Sequence, residues 1–300
     1  ILLGNAGNDF IQTGGGGDLV GGGDGNDTIR GDAGNDTLYG SVGNDDVAGG
    51  SGNDTILTDV GDDIIYAGLG NDFVGGGAGN DLIFGGAGSN VIYGGTGVDT
   101  VNGGTGDDTI NGGGDGANRL LGNGGADNIF GGTGGELIGG GEGNDTLLGN
   151  DGADTIYAGA GNDFVGGGAG NDLIYAGAGS NTIYLGAGDD RGVGGFGRDV
   201  FIGGPGADTF QFNSAAQIGI GAARSVISDF VSGDDHIDLS VMNTQFNSAG
   251  GLTGGGTSSF FAFDTGPDIL LIGDQDGNGA VDWVLELSGV PVVTEDDFVL

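Results

Sequence analysis

The sequence contains no cysteine and no lysine, and its 300 residues include only three prolines and five arginines. Without cysteine the chain can form neither disulfides nor thiolate metal sites. Against the five basic residues stand 43 acidic ones, so that the formal net charge is -38. This charge excludes electrostatic binding of nucleic acid, because phosphates would be repelled. It favours a positively charged partner, of which metal cations are the smallest and most mobile.

Long apolar runs are also missing, since none approaches the ~18 residues that a membrane-spanning helix needs. What the sequence has in excess is glycine, with 80 residues, and these glycines follow a nine-residue period. The repeating unit reads G-G-x-G-x-D-x-U-x, where U is apolar, and we number its places as positions 1 to 9. Twenty-three units cover residues 4–211, with one extra residue inserted within 112–121.

The period is strictest at positions 4, 6 and 8. Glycine stands at position 4 in all 23 units, and an apolar residue stands at position 8 in 22 of them, with Gly192 as the exception. Position 6 is aspartate in 19 units, namely Asp9, Asp18, Asp27, Asp36, Asp45, Asp54, Asp63, Asp72, Asp81, Asp99, Asp108, Asp127, Asp145, Asp154, Asp163, Asp172, Asp190, Asp199 and Asp208. The other four units carry Asn90, Asn118, Asn181 and Glu136, and we expect metal sites there to be weaker, distorted or empty.

The unit predicts a short strand followed by a tight turn. The x-U-x triplet alternates outward, inward and outward, as a strand does, and the glycines permit the positive φ angles of the turn. Inward carbonyls and one carboxylate per turn form an all-oxygen cage that suits a hard cation such as Ca²⁺. Ordinary turn chemistry is the plainer explanation of the Asn-Asp pairs, but it does not account for like charges stacked between coils.

This unit resembles the calcium-binding nonapeptide of the RTX (repeats-in-toxin) family over residues 1–211. The resemblance implies an all-β fold, a right-handed parallel β-roll with two sheets and about eleven coils, in which turns 18 residues apart stack. It also implies calcium ions between the stacked turns, held by the 19 aspartates and by loop carbonyls. About 20 such ions would carry roughly the positive charge needed to balance the net charge of -38.

Two segments place apolar residues on the outer side of the predicted strands. Residues 68–93 recur almost unchanged as residues 159–184, at an offset of ten units plus the inserted residue. The outward apolar residues of the first copy lie within 64–93 and those of the second within 155–184. They predict either ladders that only stabilise stacked strands or a contact surface for a neighbouring chain.

Residues 212–300 lose the period and predict a small β-rich cap. The stretch SVISDFVSGDDHIDLS (225–240) and the end VVTEDDFVL resemble the C-terminal region of proteins exported by type I secretion, with serralysin-like relatives. This resemblance implies the type I secretion machinery as a partner, a Gram-negative origin and an extracellular or cell-surface location. Within the cap, DQDGNGAVD (274–282) has carboxylates at calcium-loop spacing, while its apolar flanks favour a hairpin instead.

No catalytic arrangement stands out, because His236 is the only histidine and no cysteine nucleophile exists. We therefore expect a non-enzymatic, calcium-binding secreted protein, such as a surface-layer, fibre or adhesin segment. The alternative is the folding and export region of a larger secreted enzyme (a protease, lipase or epimerase) or of a toxin. Residues 1–3 occupy the last three places of a further unit, so we expect the native chain to extend upstream.

Overall fold

The computed structural model describes residues 1–114, 116–247 and 258–300, and these form two compact units, 1–155 and 156–300. The first unit is built from short strands. They are β1 (Leu2–Ala6), β2 (Phe10–Gln12), β3 (Leu19–Asp24), β4 (Thr28–Arg30), β5 (Thr37–Val42), β6 (Asp46–Ser51), β7 (Thr55–Val60), β8 (Ile64–Leu69), β9 (Phe73–Ala78), β10 (Leu82–Ala87), β11 (Val91–Thr96), β12 (Thr100–Thr105), β13 (Thr109–Gly113), β14 (Arg119–Gly124), β15 (Asn128–Phe130), β16 (Leu137–Glu142) and β17 (Thr146–Asp151).

Alternate strands of the first unit form two parallel sheets. The odd-numbered strands β1 to β17 pair in order in one sheet, and the even-numbered strands β2 to β16 pair in order in the other. Partner residues lie 18 apart, as in Leu19 with Thr37. Two repeats therefore make one coil, which confirms the predicted all-β parallel roll.

The one-residue insertion shows directly in the register. Thr100 pairs with Arg119 and Thr109 pairs with Asn128, so both partners are 19 residues apart, while the next pairing, Arg119 with Leu137, returns to 18. The extra residue is therefore taken up in the turn between β13 and β14, and the strands on either side keep their faces. Asp115, between β13 and β14 in the sequence, is outside the described residues.

The apolar residue at position 8 supplies the interior of the roll. From Val20 to Phe210 every such side chain is fully buried, because the middle residue of each x-U-x triplet points between the two sheets. Gly192, the exception at position 8, is explained by packing. A Cβ at Gly192 would lie 3.0 Å from Leu185 Cδ2 and 2.9 Å from Phe201 Cε1, so these two side chains already occupy the space that a position 8 side chain would fill.

Position 4 requires glycine for two reasons that Gly25 illustrates. Its φ angle is +127°, which favours glycine. A Cβ there would also lie only 2.6 Å from the carbonyl carbon of Gly7 in the preceding coil. The close stacking of consecutive turns therefore explains why position 4 never varies.

The second unit continues with strands of the same kind. After β18 (Thr155–Ala160), which spans the boundary, come β19 (Phe164–Ala169), β20 (Leu173–Tyr175), β21 (Thr182–Ala187), β22 (Arg191–Val193), β23 (Val200–Ile202), β24 (Thr209–Gln211), β25 (Val226–Ile227), β26 (His236–Asp238), β27 (Gln245–Phe246), β28 (Ser259–Asp264), β29 (Ile269–Asp274), β30 (Trp283–Leu287) and β31 (Phe298–Val299). In the part of this unit that the structure describes, helical turns are limited to α1 (Ala215–Ile218) and to 3-10 turns at Gly221–Ala223, Ser240–Met242 and Glu295–Asp297.

Parallel stacking in the second unit extends beyond residue 211. Strand β23 pairs with β25, and β24 pairs with β26, so both sheets gain one more strand after the last repeat. Strand β30 then pairs with β25, and β31 pairs with β26. Antiparallel strands β28, β29 and β30 complete the end of the unit. They lie over an aromatic core in which Phe260 contacts Phe246, Trp283 and Phe298.

The position 8 column makes a first prediction. Ile92→Ala should lower the free energy of unfolding by about 2–5 kcal/mol, because Ile92 is fully buried between the sheets. Its neighbour on β11, Val91, lies on the outer face and is half-buried, so Val91→Ala should cost clearly less. Urea unfolding at saturating calcium would measure both. Equal losses for the two variants would contradict the assignment of inner and outer faces.

Candidate metal centre

The position 6 aspartates turn their side chains into the roll. From Asp27 to Asp208 the position 6 residues expose at most 3% of their surface, whereas Asp9 and Asp18, in the first coil, are half-buried. A carboxylate is among the groups least often buried without a partner. Such a column of carboxylates therefore needs a compensating interaction.

In the coils after the first, one oxygen of the position 6 carboxylate has such an interaction with the backbone of the preceding coil. The N–H of Asp27 donates to Asp45 Oδ1 at 2.8 Å, and the N–H of Asp45 donates to Asp63 Oδ1 at 2.7 Å. The same bond recurs on the other side of the roll, where the N–H of Asp36 donates to Asp54 Oδ1 at 2.8 Å. These bonds fix the orientation of the carboxyl groups and leave the second oxygen facing inward.

That second oxygen, Oδ2, is buried and accepts no hydrogen bond from any described residue. This holds for Asp9, Asp27, Asp36, Asp45, Asp54, Asp72, Asp81, Asp99, Asp108, Asp127, Asp190 and Asp208. A buried anionic oxygen with no donor is strongly unfavourable. The repetition of the same defect on both sides of the roll indicates that a cation belongs beside these oxygens wherever the turn leaves room for one.

The backbone at position 1 completes a site around this oxygen. A Cβ at Gly31 would lie 2.6 Å from Asp36 Oδ2 and 2.6 Å from the carbonyl oxygen of Gly49, which is position 1 of the next coil. Gly94 is equivalent, with 2.6 Å to Asp99 Oδ2 and 2.8 Å to the carbonyl oxygen of Gly112. We call this space the cradle: it is bounded by the position 1 backbone of one unit, the position 6 carboxylate of that unit and the position 1 carbonyl of the unit one coil later.

The donors around the cradle are all oxygens, and at least one of them is charged. Calcium takes six to eight oxygen ligands from carboxylates and carbonyls at flexible angles. The residues present therefore fit a calcium ion, and they offer no nitrogen or sulfur donor for a softer metal. The 19 aspartates predicted as ligands all occupy position 6 of their units. Asp199 differs from the others in that its Oδ2 accepts the N–H of Gly195 at 3.1 Å.

Burial changes the acidity of these carboxyl groups. It raises the pKa of Asp81 to about 7, and the nearby charges of Asp99 and Asp63 add to the increase. Burial likewise raises the pKa of Asp45 and of Asp127 to about 6. A nearby divalent cation would oppose each of these shifts, because it favours the ionised form.

The departures from aspartate preserve the backbone bond but change the group that faces the cradle. Asn90 Oδ1 accepts the N–H of Asp72 at 3.0 Å, and Asn118 Oδ1 accepts the N–H of Asp99 at 2.8 Å. The amide nitrogen then stands where Oδ2 stands elsewhere, and a Cβ at Gly85 would lie 2.9 Å from Asn90 Nδ2. An amide N–H₂ group donates hydrogen bonds and does not bind cations. The expectation that these positions bind metal weakly stays a prediction.

Glu136 differs from the asparagines because it keeps a carboxylate. Its N–H donates to Asp154 Oδ1 at 2.7 Å, as in the regular ladder. Burial, together with the adjacent Asp154 carboxylate, raises the pKa of Glu136 to about 7.

A second ladder, at position 5, was not predicted from the sequence. The N–H of Asn26 donates to Asn8 Oδ1 at 3.0 Å, and the N–H of Asn53 donates to Asn35 Oδ1 at 2.9 Å. Here each side chain accepts from the following coil, whereas each position 6 carboxylate accepts from the preceding one. The recurring Asn-Asp pairs are the sequence feature that could have predicted this ladder, because adjacent acceptors at positions 5 and 6 can bond the following and the preceding coil.

Two further ladder residues lie outside the nonapeptides. The N–H of Asp208 donates to Asp235 Oδ1 at 3.0 Å, and the N–H of Asp199 donates to Ser225 Oγ at 3.1 Å. Asp235 Oδ2 accepts the N–H of Val231 at 2.8 Å, so this carboxylate has protein partners for both oxygens. Their spacings of 27 and 26 residues differ from the 18 residues of a regular coil, and neither residue stands in a G-G-x-G-x-D-x-U-x unit, so the repeat pattern did not predict them.

The loop 275–282 joins two antiparallel strands, β29 and β30, which confirms the hairpin. Within the loop, Asp274 accepts N–H groups from Gly277 at 2.7 Å and from Gly279 at 2.6 Å. Carboxylate oxygens of Asp274, Asp276 and Asp282 lie within 4.8 Å of one another. The two predicted features of this loop, a hairpin and a group of carboxylates, are therefore both present.

The single histidine has a structural setting. His236 pairs with Thr209 across β24 and β26, and its N–H donates to the carbonyl oxygen of Asp208 at 2.8 Å.

Among the described residues, none forms a helix with the length and apolar character that crossing a bilayer requires.

Comparison with known proteins agrees with the repeat geometry. The family model described as "RTX calcium-binding nonapeptide repeat (4 copies)" matches ten segments, namely 1–29, 21–56, 39–74, 49–83, 75–110, 113–138, 132–165, 139–174, 167–192 and 186–213. No curated protein matches the chain.

Two solved structures from Azotobacter vinelandii mannuronan C5-epimerase are similar to parts of the chain. The AlgE6R2 subunit is 24% identical, covers 52% of this chain and 88% of its own, and gives a TM-score of 0.33. The AlgE6R3 subunit is also 24% identical, covers 61% of this chain and 80% of its own, and gives a TM-score of 0.28.

The raised pKa values predict how pH acts on the metal-free protein. Between the ordinary carboxyl pKa of 3.8 and values of about 6 to 7, the folded chain holds protons that the unfolded chain has released. Stability without metal therefore falls as pH rises through this window. In chelator, the strand signal in circular dichroism should be larger at pH 5.5 than at pH 7.5, and saturating calcium should reduce the difference. A larger signal at pH 7.5 in chelator would contradict this assignment.

Proposed function

Because the chain belongs to the RTX calcium-binding nonapeptide-repeat family, we propose that it is an extracellular structural segment whose roll folds when calcium binds. The buried Oδ2 atoms that accept no hydrogen bond are the observation that carries this proposal. Between stacked turns, bound calcium supplies the positive charge that these oxygens otherwise lack. Position 6 carboxylates and position 1 carbonyls are the groups that would hold it.

Dependence of folding on calcium follows from the composition of the roll. Its interior is mainly the one apolar residue at position 8 of each nonapeptide, and its turns are rich in glycine, which loses more conformational freedom on folding than any other residue. Without cations, the carboxylates of successive coils would also repel one another across the ~4.8 Å between paired strands. Metal binding is then coupled to folding, and the full array was predicted to take about 20 ions.

An extracellular location is supported by the chemistry of the chain and by its C-terminal end. Calcium is plentiful outside cells and scarce in the cytosol, so the chain would stay unfolded until export. In the folded chain, Phe298–Val299 pairs with β26, and Asp297 accepts the Ser232 hydroxyl at 2.8 Å and the N–H of Gly233 at 2.8 Å. We propose that the type I secretion machinery reads this end before these bonds form, and that the destination is the surface of a Gram-negative cell or its surroundings.

A structural role for the roll is supported by two matching aromatic surfaces, one in each unit. In the first, Tyr66 stacks on Phe84 with ring centroids 5.1 Å apart, and Phe73 contacts Tyr93 at 5.7 Å. In the second, the equivalent pairs are Tyr157 with Tyr175 at 4.7 Å and Phe164 with Tyr184 at 5.5 Å. These rings stabilise the stacked strands. Their exposed portions are the surfaces that a surface-layer, fibre or adhesin segment would use to meet a neighbouring chain.

The second candidate is the folding and export region of a larger secreted enzyme or toxin. The RTX repeats that match ten segments of the chain support it as well, because a calcium-binding roll can serve either role. The intact mass of the natural product, with its true N-terminus, separates the candidates, because a catalytic domain before Ile1 would decide for the second. In either case we propose that residues 1–300 have no catalytic activity of their own. Turnover of peptide, ester or polysaccharide substrates by this chain alone would refute that point.

Calcium-dependent folding can be tested by circular dichroism. In chelator at pH 7.5 the chain should show a disordered spectrum, and millimolar calcium should restore strand content cooperatively. Magnesium is the matched control, because it demands a smaller octahedral site and gives up its water reluctantly. Strand content that chelator leaves unchanged would show that the roll does not depend on calcium.

A further inference from the structure

Position 1 of the unit is not always glycine, although a side chain at this position would enter the cradle. Most units begin with glycine, as the cradle requires. Six begin with another residue, namely Thr13, Thr58, Ala67, Ala158, Ala176 and Leu185. Four of these side chains, from Ala67 to Leu185, are fully buried, as is Thr58. They are therefore inside the roll.

A side chain at position 1 and a cation in the cradle compete for the same space. In glycine-led units, a Cβ would lie 2.6 Å from both Asp36 Oδ2 and the carbonyl oxygen of Gly49, or 2.6 Å and 2.8 Å from the equivalent atoms at Gly94. Calcium–oxygen distances are about 2.3–2.6 Å. Carbon atoms at position 1 thus occupy the place where an ion would have to contact these same oxygens. This exclusion holds even at Asp72 and Asp190, whose Oδ2 atoms lie in the cradles led by Ala67 and Leu185 and accept no hydrogen bond from any described residue.

The threonines show how such a cradle is satisfied without a cation. Thr58 Oγ1 donates to the carbonyl oxygen of Gly76 at 2.7 Å, and Thr13 Oγ1 donates to the carbonyl oxygen of Gly31 at 2.7 Å. Both acceptors are the position 1 carbonyls that face the cradle from the next coil. The Thr58 hydroxyl also lies beside the Asp63 carboxylate. A protein donor thus stands where a cation would be needed elsewhere.

Two of the other units carry a second, independent change at the same cradle. In the unit led by Ala176, position 6 is asparagine, and Asn181 Nδ2 donates to the carbonyl oxygen of Ala176 at 2.9 Å. In the unit led by Leu185, position 8 is Gly192, and the Leu185 side chain fills the space above that glycine. In the unit led by Ala176, a hydrogen bond from the Asn181 amide therefore takes the place of an ion. In the unit led by Leu185, apolar packing of the Leu185 side chain does so.

We propose that position 1 determines which cradles of this chain bind calcium: glycine-led cradles take an ion, and the six led by Thr13, Thr58, Ala67, Ala158, Ala176 and Leu185 do not. This inference rests on the proposed calcium role and changes its stoichiometry. Each ion needs two stacked units, so the 23 units offer about 21 places. Excluding the six side-chain-led cradles and the glycine-led ones at Asn90 and Asn118 leaves about 13 ions for each chain.

The test counts calcium ions bound to the full chain by native mass spectrometry at saturating calcium. Ala67→Gly should bind one ion more than the wild type. Its matched control is Ala48→Gly, the same change at an outward position 9, which should leave the count unchanged. Thr58→Gly should also gain one ion, because its hydroxyl occupies a cradle rather than serving as a ligand.

The reverse change uses two adjacent glycines of β9. Gly76→Ala should lose one ion, because its methyl group would enter the cradle 2.6 Å from the carbonyl oxygen of Gly94. Gly75→Ala should lose none, because its methyl group would meet only the end of the Leu57 side chain at 2.8 Å. Far-UV circular dichroism in calcium would confirm that both variants keep their strands.

Each result decides a stated point. An unchanged count in Ala67→Gly, or a lower count in Thr58→Gly, would overturn the role given to position 1. A wild-type count of about 20 would overturn it as well and leave the calcium role intact. A wild-type chain that binds no calcium would instead refute the proposed function itself.

Discussion

The structure depends on a carboxylate that is only half satisfied by the protein. After the first coil, one oxygen of the position 6 aspartate accepts a backbone N–H from the preceding coil, and the other is buried with no donor at the sites described above. The first bond fixes the spacing and orientation of the turns. The second oxygen leaves the assembled turns electrostatically incomplete, and under the proposed function a bound cation supplies the missing charge. Folding of the roll and binding of the cation are therefore coupled in the proposed function of this chain.

The period predicted the fold because every level of the structure repeats it. Position 8 supplied the buried column, position 4 the tight turns and position 6 the inward carboxylates, and a single-residue insertion was visible as a shift of phase. What the period could not predict lies where residues act across coils. In the sequence, Asn8 and Asn26 look like ordinary turn residues. That the N–H of Asn26 donates to Asn8 Oδ1 becomes evident only when the two coils are stacked.

The end of the roll was harder to predict for a related reason. Ser225 and Asp235 take the place of position 6 residues although they lie 26 and 27 residues after their partners, not 18 as in the regular coil. Both are brought into line by intervening segments that a periodic pattern cannot anticipate. In the same region Phe201, Phe210 and Phe212 pack edge to face inside the roll. There the interior changes from oxygen cradles to aromatic rings, which suits the junction with an ordinary hydrophobic cap.

The even number of units between the two matching segments has a consequence for how such a chain can change length. Residues 68–93 and 159–184 are separated by ten units and the inserted residue, so corresponding strands fall in the odd-numbered or even-numbered series alike. A genetic exchange between the two segments would delete or add whole coils while each remaining strand kept its sheet and each remaining carboxylate kept its column. Recombination can thus lengthen or shorten the repeat by whole coils without changing the fold of the remaining units.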